Sequence, residues 1–289
     1  PMFSDPNVEQ IETSYAAAKA QYAAIGVDTE AAMKTLADTP LSLHCWQGDD
    51  VRGFEIQEKH SAGGGIMATG NYPGAAGDAE TLRQDAELAF KLIPGKKRFN
   101  LHAIYAETQG KKVSRDELAP EHFSNWMAWS KQQNVPLDFN PTFFAHPMAE
   151  QGYTLSHGDS QVRRFWIRHA KACREIAAEM GRQQGQACIV NHWIPDGAKD
   201  HPMDRIGPRL RLKEALEEIF AEKICPELCL DALECKLFGL GSEDYVVGSH
   251  EFYLAYAISH PQLLCLDMGH FHPTETIHDK LSAIMLFKD

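Results

Sequence analysis

The sequence predicts an α/β fold with a parallel sheet, namely a (β/α)8 TIM barrel that is incomplete in this chain, with about six of the eight strands. The first observation is an alternation of short apolar runs with loops and amphipathic stretches, which repeats from residue 41 onward. The second is that the runs are almost continuously apolar, as strands buried on both faces are. The third is that each run carries polar residues near its end, where barrel enzymes place their chemistry.

The predicted elements divide the chain into an N-terminal helical segment, residues 1–40, and a barrel domain, residues 41–289. Apolar residues at helical spacing predict one helix that stops at Gly26 and a second that begins near Asp28. The predicted strands are Leu41–Trp46, Phe99–Tyr105, Leu137–Pro141, Cys188–Trp193, Leu228–Phe238 and Leu263–His270. The predicted helices are Ala79–Leu92, Pro120–Gln132, Ser160–Arg182, Pro208–Ile224, Glu251–His260 and Thr274–Leu286.

A doubly wound sheet is the main alternative for alternating strands and helices. In a dinucleotide-binding protein that sheet would carry a glycine fingerprint after a strand. The only glycine run, Gly63–Gly65, matches neither G-x-G-x-x-G nor a P-loop. The polar strand ends therefore favour the barrel.

The composition is that of a globular protein and excludes several classes of partner. The 289 residues include 28 Lys and Arg against 40 Asp and Glu, which gives a net charge of −12. Such an acidic chain lacks the cationic face that binds nucleic acid, and this also argues against a metal-dependent phosphodiesterase on a similar barrel. No run reaches the roughly 20 apolar residues of a membrane span, and the N-terminus has no signal-peptide pattern.

The seven cysteines form no C-x-x-C pair and no completed zinc cluster. Their odd number also argues against a disulfide framework, so we expect buried, reduced thiols. Because reduced thiols are typical of a reducing compartment, the chain is predicted to be cytoplasmic.

Ionisable and amide side chains at six strand ends are the strongest functional indication in the sequence. Any one of them is more often structural than functional, but six at the same face of a barrel are hard to obtain by chance. The series is His44, His102, Asn140, Asn191 with Trp193, Glu234 with Lys236, and Asp267 with His270.

Glu234, Asp267 and His270 are the candidate metal ligands. A carboxylate in the apolar segment ALECKLFG needs a partner charge or a metal, and Lys236, two residues further on, offers the alternative of an internal ion pair. Asp267 with His270 supplies carboxylate and imidazole, which suit Mn²⁺ or Zn²⁺ better than Ca²⁺. The alternative role for Asp267 is to cap the helix that follows.

His102, Trp46 and Trp193 are candidates for contact with a small molecule. His102 could act as a general acid or base near neutral pH, or be a strand-end histidine that is merely hydrogen-bonded. The two tryptophans could form apolar walls for a sugar, or pack at the barrel rim. A serine triad is not supported because no G-x-S-x-G occurs, and His169 lies on an apolar helix face, where we expect a core histidine.

Together these motifs resemble the L-rhamnose isomerase family over almost the whole chain, from about Val8 to Phe287. The segments that carry the resemblance, in the family's order, are HCWQGDDVRGFE, ATGNYPG, NLHAIY, LDFNPTFF, HPMAEQGYTLSH, NHWIPDG, ECKLFGLG, VGSHEFY and CLDMGHFHPTE. The resemblance implies a homotetrameric, cytoplasmic (β/α)8 barrel enzyme that interconverts L-rhamnose and L-rhamnulose. It also implies two divalent metals, typically Mn²⁺, with Zn²⁺ or Co²⁺ as alternatives.

The resemblance also implies roles for individual residues. Glu234 and Asp267 match ligands of the family's first metal site, and His270 matches a ligand of the second, catalytic site. The residues that match those lining the sugar are Lys236, Trp193, Trp46 and His102. Of these, Lys236 and His102 are the implied catalytic residues, with His102 near the ring oxygen. The implied reaction is a metal-assisted hydride shift between C1 and C2, with a cis-enediol route as the alternative.

The family pattern continues beyond Phe287 with further His and Asp ligands, so the chain resembles a C-terminally truncated member. We therefore expect an incomplete metal shell, open sheet edges that favour self-association, and little activity. The alternative is a catalytically inactive barrel unit with a structural or assembly role. We also expect the glycine-rich loop Val51–Gly74 to act as a lid over the sugar.

Overall fold

The computed structural model describes residues 7–49, 51–55, 74–236 and 244–288. The predicted lid, residues 51–74, therefore lies mostly outside the described part. Two helices come first, α1 (Val8–Ala24) and α2 (Thr29–Asp38), and the side chains of Asn7 and Asp28 cap their N-termini. Both helices precede Pro40, the last residue of the predicted N-terminal helical segment; the division into two domains stays a proposal.

Six parallel strands form one sheet after α2. They are β1 (Leu41–His44), β2 (Lys97–His102), β3 (Leu137–Asn140), β4 (Cys188–Trp193), β5 (Cys229–Glu234) and β6 (Leu263–Cys265). Each strand pairs with its predecessor in the chain, and a helix lies in every connection. This is the order of a (β/α)8 barrel, so the predicted fold class is confirmed, with six barrel strands among the described residues.

The connecting helices cover the outer face of the sheet. They are α3 (Ala79–Leu92), α4 (Ser124–Gln133), α5 (Ser160–Gln184), α6 (Gly207–Ala221) and α7 (His250–Ser259), and α8 (Ile277–Ile284) follows β6. The bounds of α3 agree with the prediction, and Asp78 caps it as the sequence indicates. Other helix ends differ by a few residues, as with the 3-10 turn Pro120–Phe123 ahead of α4. None of the described helices is both long and apolar enough to cross a bilayer.

Several predicted strands end earlier than expected. After β1, β2 and β6 the chain enters the short 3-10 turns Cys45–Gly48, Ala103–Tyr105 and Met268–His270. An apolar run indicates burial, and it does not separate a strand from a buried turn. Trp46 and His270 therefore project from turns that follow strands, and Lys236 lies two residues beyond the end of β5.

The apolar core lies between the sheet and the helices. Phe99 and Leu101 of β2 and Phe139 of β3 face outward and are at most 1% exposed. The Trp126 and Trp129 rings of α4 cover Phe99, with ring centroids 6.1 and 5.4 Å away. Large aromatic contacts of this kind contribute both buried area and a fixed geometry, so they hold α4 against the sheet.

The inner face of the sheet, by contrast, carries a buried ion pair. Asp138 accepts hydrogen bonds from Arg98 Nε and Nη2 at 2.8 and 2.7 Å, and from Ser42 Oγ at 2.7 Å. It also accepts from the backbone N–H of Ile189 at 2.9 Å, while Arg98 donates to the Ala187 carbonyl. One carboxylate thus links β1, β2, β3 and β4 near their N-terminal ends.

On the outer face, Arg174 of α5 makes a comparable set of bonds. It donates to both oxygens of Asp231 and to the carbonyls of Ile219 and Glu222. Burial acts to raise the pKa of Asp231, but the hydrogen bond and charge of His192 and the charge of Arg174 outweigh it and hold that pKa below its ordinary value. This cluster fastens α5 and the end of α6 to the sheet.

Replacing Asp138 by Asn should lower the free energy of unfolding by about 3–5 kcal/mol, because the Arg98 guanidinium is then buried without a counter-ion. The Asp138 and Arg98 side chains are only 4% and 11% exposed. Urea unfolding followed by circular dichroism measures the change. As a matched control, Asp38→Asn removes a carboxylate that pairs with Lys34 on the surface and should leave the midpoint unchanged. Equal midpoints for the two variants would contradict the structural role of Asp138.

Candidate active site

Inward-facing polar residues form rows that run from the Arg98–Asp138 ion pair towards the C-terminal end of the barrel. On β2 they are Arg98, Asn100 and His102, and on β3 they are Asp138 and Asn140. Asn140 donates a side-chain hydrogen bond to Asn100, and His102 lies in register beside Asn140. The catalytic candidate His102 therefore lies next to the hydrogen-bonded pair Asn100–Asn140, on the C-terminal side of the barrel.

Glu234, Asp267 and His270 come together at the C-terminal ends of β5 and β6. One candidate ligand atom from each lies within 4.8 Å of the other two. His270 Nδ1 is 3.3 Å from Glu234 Oε1, and His270 Nε2 is 3.5 Å from Asp267 Oδ2. The three predicted ligands thus share one site, while their binding of a metal stays a prediction.

Glu234 is the buried member of this group, at 8% exposure. Burial raises its pKa to about 8, the neighbouring Asp267 carboxylate adds to the rise, and the hydrogen bond donated by Asn191 opposes it. A divalent cation at this point would instead stabilise both ionised carboxylates.

Asp267 has a second, structural role. Its Oδ1 accepts a 2.7 Å hydrogen bond from the backbone N–H of Gly269 and so caps the turn Met268–His270. The alternative reading of Asp267 as a cap is therefore correct in kind, although the capped element is a 3-10 turn instead of a helix. The bond fixes one carboxylate oxygen and leaves Oδ2 on the side of His270.

Six rings form a continuous aromatic wall across this end of the barrel. They are His44, Trp46, His102, Phe144, Trp193 and His270, and successive ring centroids lie 4.7, 5.1, 6.2, 5.5 and 6.0 Å apart. Trp193 and His270 stack with their planes 14° apart. The wall joins the metal-ligand candidates to His102 and offers apolar faces to the C–H groups of a sugar.

The first and last strands of the sheet lead into the same site. Burial lowers the pKa of His44, beside Trp46 in the aromatic wall, and the charge of Asp267 acts to raise it again. Since His44 ends β1 and Asp267 follows β6, this coupling crosses the barrel.

His102 is only 3% exposed. Its Nδ1 lies 3.4 Å from Thr142 Oγ1, and its Nε2 is buried with no hydrogen-bond partner among the described residues. Burial lowers its pKa to about 3, and the charges of His44 and Arg115 add to the shift. Desolvation thus favours a neutral ring at pH 7, and the role of His102 as a general acid or base stays a prediction.

Lys236 is 1% exposed and lies between the loops that follow β4 and β5. Its Nζ donates to the Pro195 carbonyl at 3.4 Å, and its backbone N–H donates to the Gly248 carbonyl at 3.1 Å. The next residue in the first loop, Asp196, is buried and accepts hydrogen bonds from the backbone and hydroxyl of Ser156. The two loops also pair through Gly197–Ala198 and Tyr245–Val246, so the backbone around the ammonium group is well fixed.

Of ten buried polar side-chain atoms without a hydrogen-bond partner among the described residues, five lie around this site. They are His44 Nδ1, His102 Nε2, Asn191 Oδ1, Trp193 Nε1 and His270 Nδ1. Burying such atoms unpaired costs roughly 1–3 kcal/mol each, so their concentration in one place indicates a site for a polar ligand. Two carboxylates and an imidazole are also a donor set that suits Mn²⁺ or Zn²⁺, so the residues present fit a divalent cation.

Sequence reasoning did not identify Thr142, Phe144 or Arg115 as parts of the site. Thr142 and Phe144 follow β3, and the polar end of that strand at Asn140 indicated the region without indicating which side chain faces His102. Arg115 lies in the 3-10 turn Arg115–Glu117, far from any strand end, and no local pattern distinguishes it.

The free energy of unfolding should fall as the pH decreases from 6.5 towards 3, because His102 stays neutral in the folded state and binds a proton on unfolding. A group whose pKa is lowered by folding stabilises the folded state at pH values above the pKa of the unfolded chain. That stabilisation is lost as the pH falls to the pKa of the folded state. The slope is about 1.4 kcal/mol per pH unit for one histidine. Because other buried histidines such as His169 contribute in the same direction, His102→Gln should reduce the total slope by this one-histidine share in urea titrations across this range. His201→Gln, at a side chain 67% exposed, should keep the wild-type slope, and an unchanged slope in H102Q would refute the buried neutral ring.

Comparisons with known proteins give the same family as the sequence motifs. The family model for L-rhamnose isomerase (RhaA) matches residues 9–289. The L-rhamnose isomerases of Rhodopirellula baltica and of Listeria monocytogenes serotype 4a are 55% and 56% identical to the chain over 277 and 278 residues. These alignments cover 96% of this chain but 64% and 66% of the relatives, so the chain spans about two thirds of the length of the curated relatives.

Among solved structures, D-psicose 3-epimerase from Clostridium cellulolyticum H10, determined with D-tagatose, resembles the chain with a TM-score of 0.50. The match covers 71% of this chain and 65% of the epimerase at 13% sequence identity, so the likeness concerns the fold alone. The family model, in contrast, extends over nearly the whole chain and agrees with relatives of 55% identity. The chain therefore belongs to the L-rhamnose isomerase family.

Proposed function

We propose that this chain acts as an L-rhamnose isomerase, a metal-dependent enzyme that interconverts L-rhamnose and L-rhamnulose. The observation that carries the proposal is the convergence of Glu234, Asp267 and His270 beside the aromatic wall, in a chain of this family. About a third of the length of the relatives that bear the enzyme's name lies outside the matched part, so the activity of the whole protein rests on this proposal.

Glu234, Asp267 and His270 would supply ligands for divalent-cation binding, and Mn²⁺ is the metal we propose, with Zn²⁺ and Co²⁺ as alternatives. When bound, the cation would polarise the sugar carbonyl and stabilise negative charge on its oxygen atoms. The hydrogen bond from Asn191 to one Glu234 oxygen orients that carboxylate, which supports the role of the other oxygen as a ligand.

The chain's own residues would bind, orient and shield the sugar. The buried Lys236 ammonium would stabilise charge on a substrate oxygen, an effect that is strong where water is excluded. His102 would use Nε2, which has no hydrogen-bond partner in the described part of the chain, to hydrogen-bond the sugar as a neutral ring and assist ring opening. Trp46 and Trp193 would keep water from the sugar's apolar face.

Removing the Lys236 or Asp267 charge should abolish most activity while preserving the fold. Lys236→Ala and Asp267→Asn should each lower kcat by about 10²–10³-fold, the usual cost of losing one group that stabilises developing charge. The assay uses L-rhamnose with Mn²⁺, and circular dichroism checks the fold. Lys213→Ala, at a surface lysine paired with Glu217, should leave kcat unchanged.

Metal removal tests the proposal directly. Activity should disappear in EDTA and return on addition of Mn²⁺. If the wild-type chain neither binds nor turns over L-rhamnose in Mn²⁺, the proposal fails for this chain, and the alternative of an inactive assembly unit takes its place. The comparisons do not favour that alternative, since the matched relatives carry the enzyme's name.

We propose a hydride shift between C1 and C2 of the sugar as the chemical step. The pKa of His102, lowered to about 3 by burial, supports it, because so weak a base is poorly suited to remove a carbon-bound proton, whereas a direct hydride transfer requires no such base. Turnover in D₂O should therefore leave the product without carbon-bound deuterium, as measured by mass spectrometry. Incorporation approaching one deuterium per turnover would instead indicate the cis-enediol route.

Location and assembly are proposals too. We propose a cytoplasmic protein, which the seven free cysteines support, since oxidising compartments favour disulfides. We also propose a homo-oligomer, a tetramer in the complete architecture. Light scattering of the purified chain gives its mass in solution.

A further inference from the structure

We propose that Arg115 is a positioning residue that sets the geometry of His102 and of the aromatic wall through the backbone of the loop after β3. Arg115 lies in a 3-10 turn between β2 and α4 and is 2% exposed. It was not among the residues predicted from the sequence. Its effect on sugar binding rests on the proposed function, whereas its effect on His102 does not.

The Arg115 guanidinium joins three loops at the C-terminal end of the barrel. Nη1 donates to the carbonyls of Thr142 and Phe144, both at 2.7 Å, and Nη2 donates to the Ala145 carbonyl at 3.0 Å. Nε and Nη2 also bind the two oxygens of Glu55 at 2.7 and 2.8 Å. Glu55 belongs to the loop after β1, so the loops after β1, β2 and β3 meet at one cation.

The carbonyls that accept these hydrogen bonds belong to residues around His102 and the aromatic wall. The Phe144 ring lies between the rings of His102 and Trp193, at 6.2 and 5.5 Å, and Thr142 Oγ1 is 3.4 Å from His102 Nδ1. Ala145 has φ +49°, a left-handed conformation that a non-glycine residue keeps only when its surroundings enforce it. The hydrogen bonds from Arg115 hold this backbone, so a shift of these carbonyls would move the contacts of His102 with Thr142 and Phe144.

Helix α5 fixes the backbone of Arg115 from behind. His169 Nδ1 lies 2.9 Å from the Arg115 carbonyl and, because a carbonyl only accepts, Nδ1 carries the proton. Burial lowers the pKa of His169 to about 3, so the ring is neutral. His169 is thus a buried, hydrogen-bonded histidine of the core, as its helical position predicted, and it anchors the turn that carries the clamp.

Lysine keeps the charge of arginine but cannot reproduce the fork that binds Glu55 and three carbonyls at once. Arg174 offers a matched control, since it is also buried and also binds a carboxylate and backbone carbonyls, but on the outer face of the sheet. Arg115→Lys and Arg174→Lys should therefore both lower the urea midpoint, and only the first should disturb the pocket.

The decisive measurement is the ¹⁵N side-chain NMR spectrum of His102 in the ligand-free, full chain, assigned by the signals missing from His102→Gln. In the wild type and in R174K we expect one protonated and one bare ring nitrogen, the pattern of a single neutral tautomer. In R115K the two signals should move towards each other as the tautomers mix. Unchanged signals in R115K, or equal changes in R174K, would overturn the proposal.

Glu55→Gln keeps the test decisive if R115K does not fold. It weakens only the carboxylate side of the clamp, and it should shift the His102 signals in the same direction but by less. Unchanged signals in E55Q would then overturn the proposal.

Titration with L-rhamnose and Mn²⁺, followed by tryptophan fluorescence, adds the functional readout. We expect the sugar Kd to rise at least about fivefold in R115K and to change less than twofold in R174K. Equal affinities in R115K and wild type would exclude a role in sugar binding. A wild-type chain that does not bind the sugar would count against the proposed function alone, and the NMR result would still decide the role of Arg115.

Discussion

The buried carboxylate of Asp138 is the constraint on which the barrel depends. Most barrels of this type fill their interior with branched apolar side chains, whereas this one places an ion pair there. The buried charged groups must then find hydrogen-bond partners within the protein. Asp138 does so by collecting donors from Ser42, Arg98 and Ile189, and this fixes four neighbouring strands relative to one another. The polar row that ends in His102 begins at this ion pair. The strand register at the N-terminal end of the barrel therefore determines the geometry of the site at the C-terminal end.

The two ends of the barrel treat their carboxylates in opposite ways. Asp138 is enclosed by donors and a full counter-charge, whereas Glu234 has one amide donor, an imidazole and a second carboxylate, and its pKa rises to about 8. The first arrangement is complete within the protein. The second becomes electrostatically favourable when a cation joins it, and this contrast separates the structural part of the interior from the part that can carry chemistry.

The sequence predicted much of this arrangement, because parallel strands bring their carboxyl ends to the same edge. That rule alone places Glu234, Asp267 and His270 together, and the caps and apolar periodicity locate α3 correctly. The sequence pattern fails where burial in the fold is decisive. The apolar run around Trp46 did not reveal that this residue lies in a turn. The position of His102 at a strand end did not show how strongly the ring is desolvated. Nor could local patterns reveal Arg115, whose partners lie 27 to 60 residues away in the chain.

The simple strand order has a consequence for how the protein emerges from the ribosome. Each strand pairs with the one synthesised just before it, so the sheet can extend in step with translation. However, the Asp138 carboxylate cannot bond to the Ile189 N–H, nor Arg98 to the Ala187 carbonyl, until those later residues have been synthesised. A nascent chain that stops short of β4 therefore holds a charged interior that is only partly bonded. Only a chain that extends from β1 through β4 can therefore form every one of these bonds.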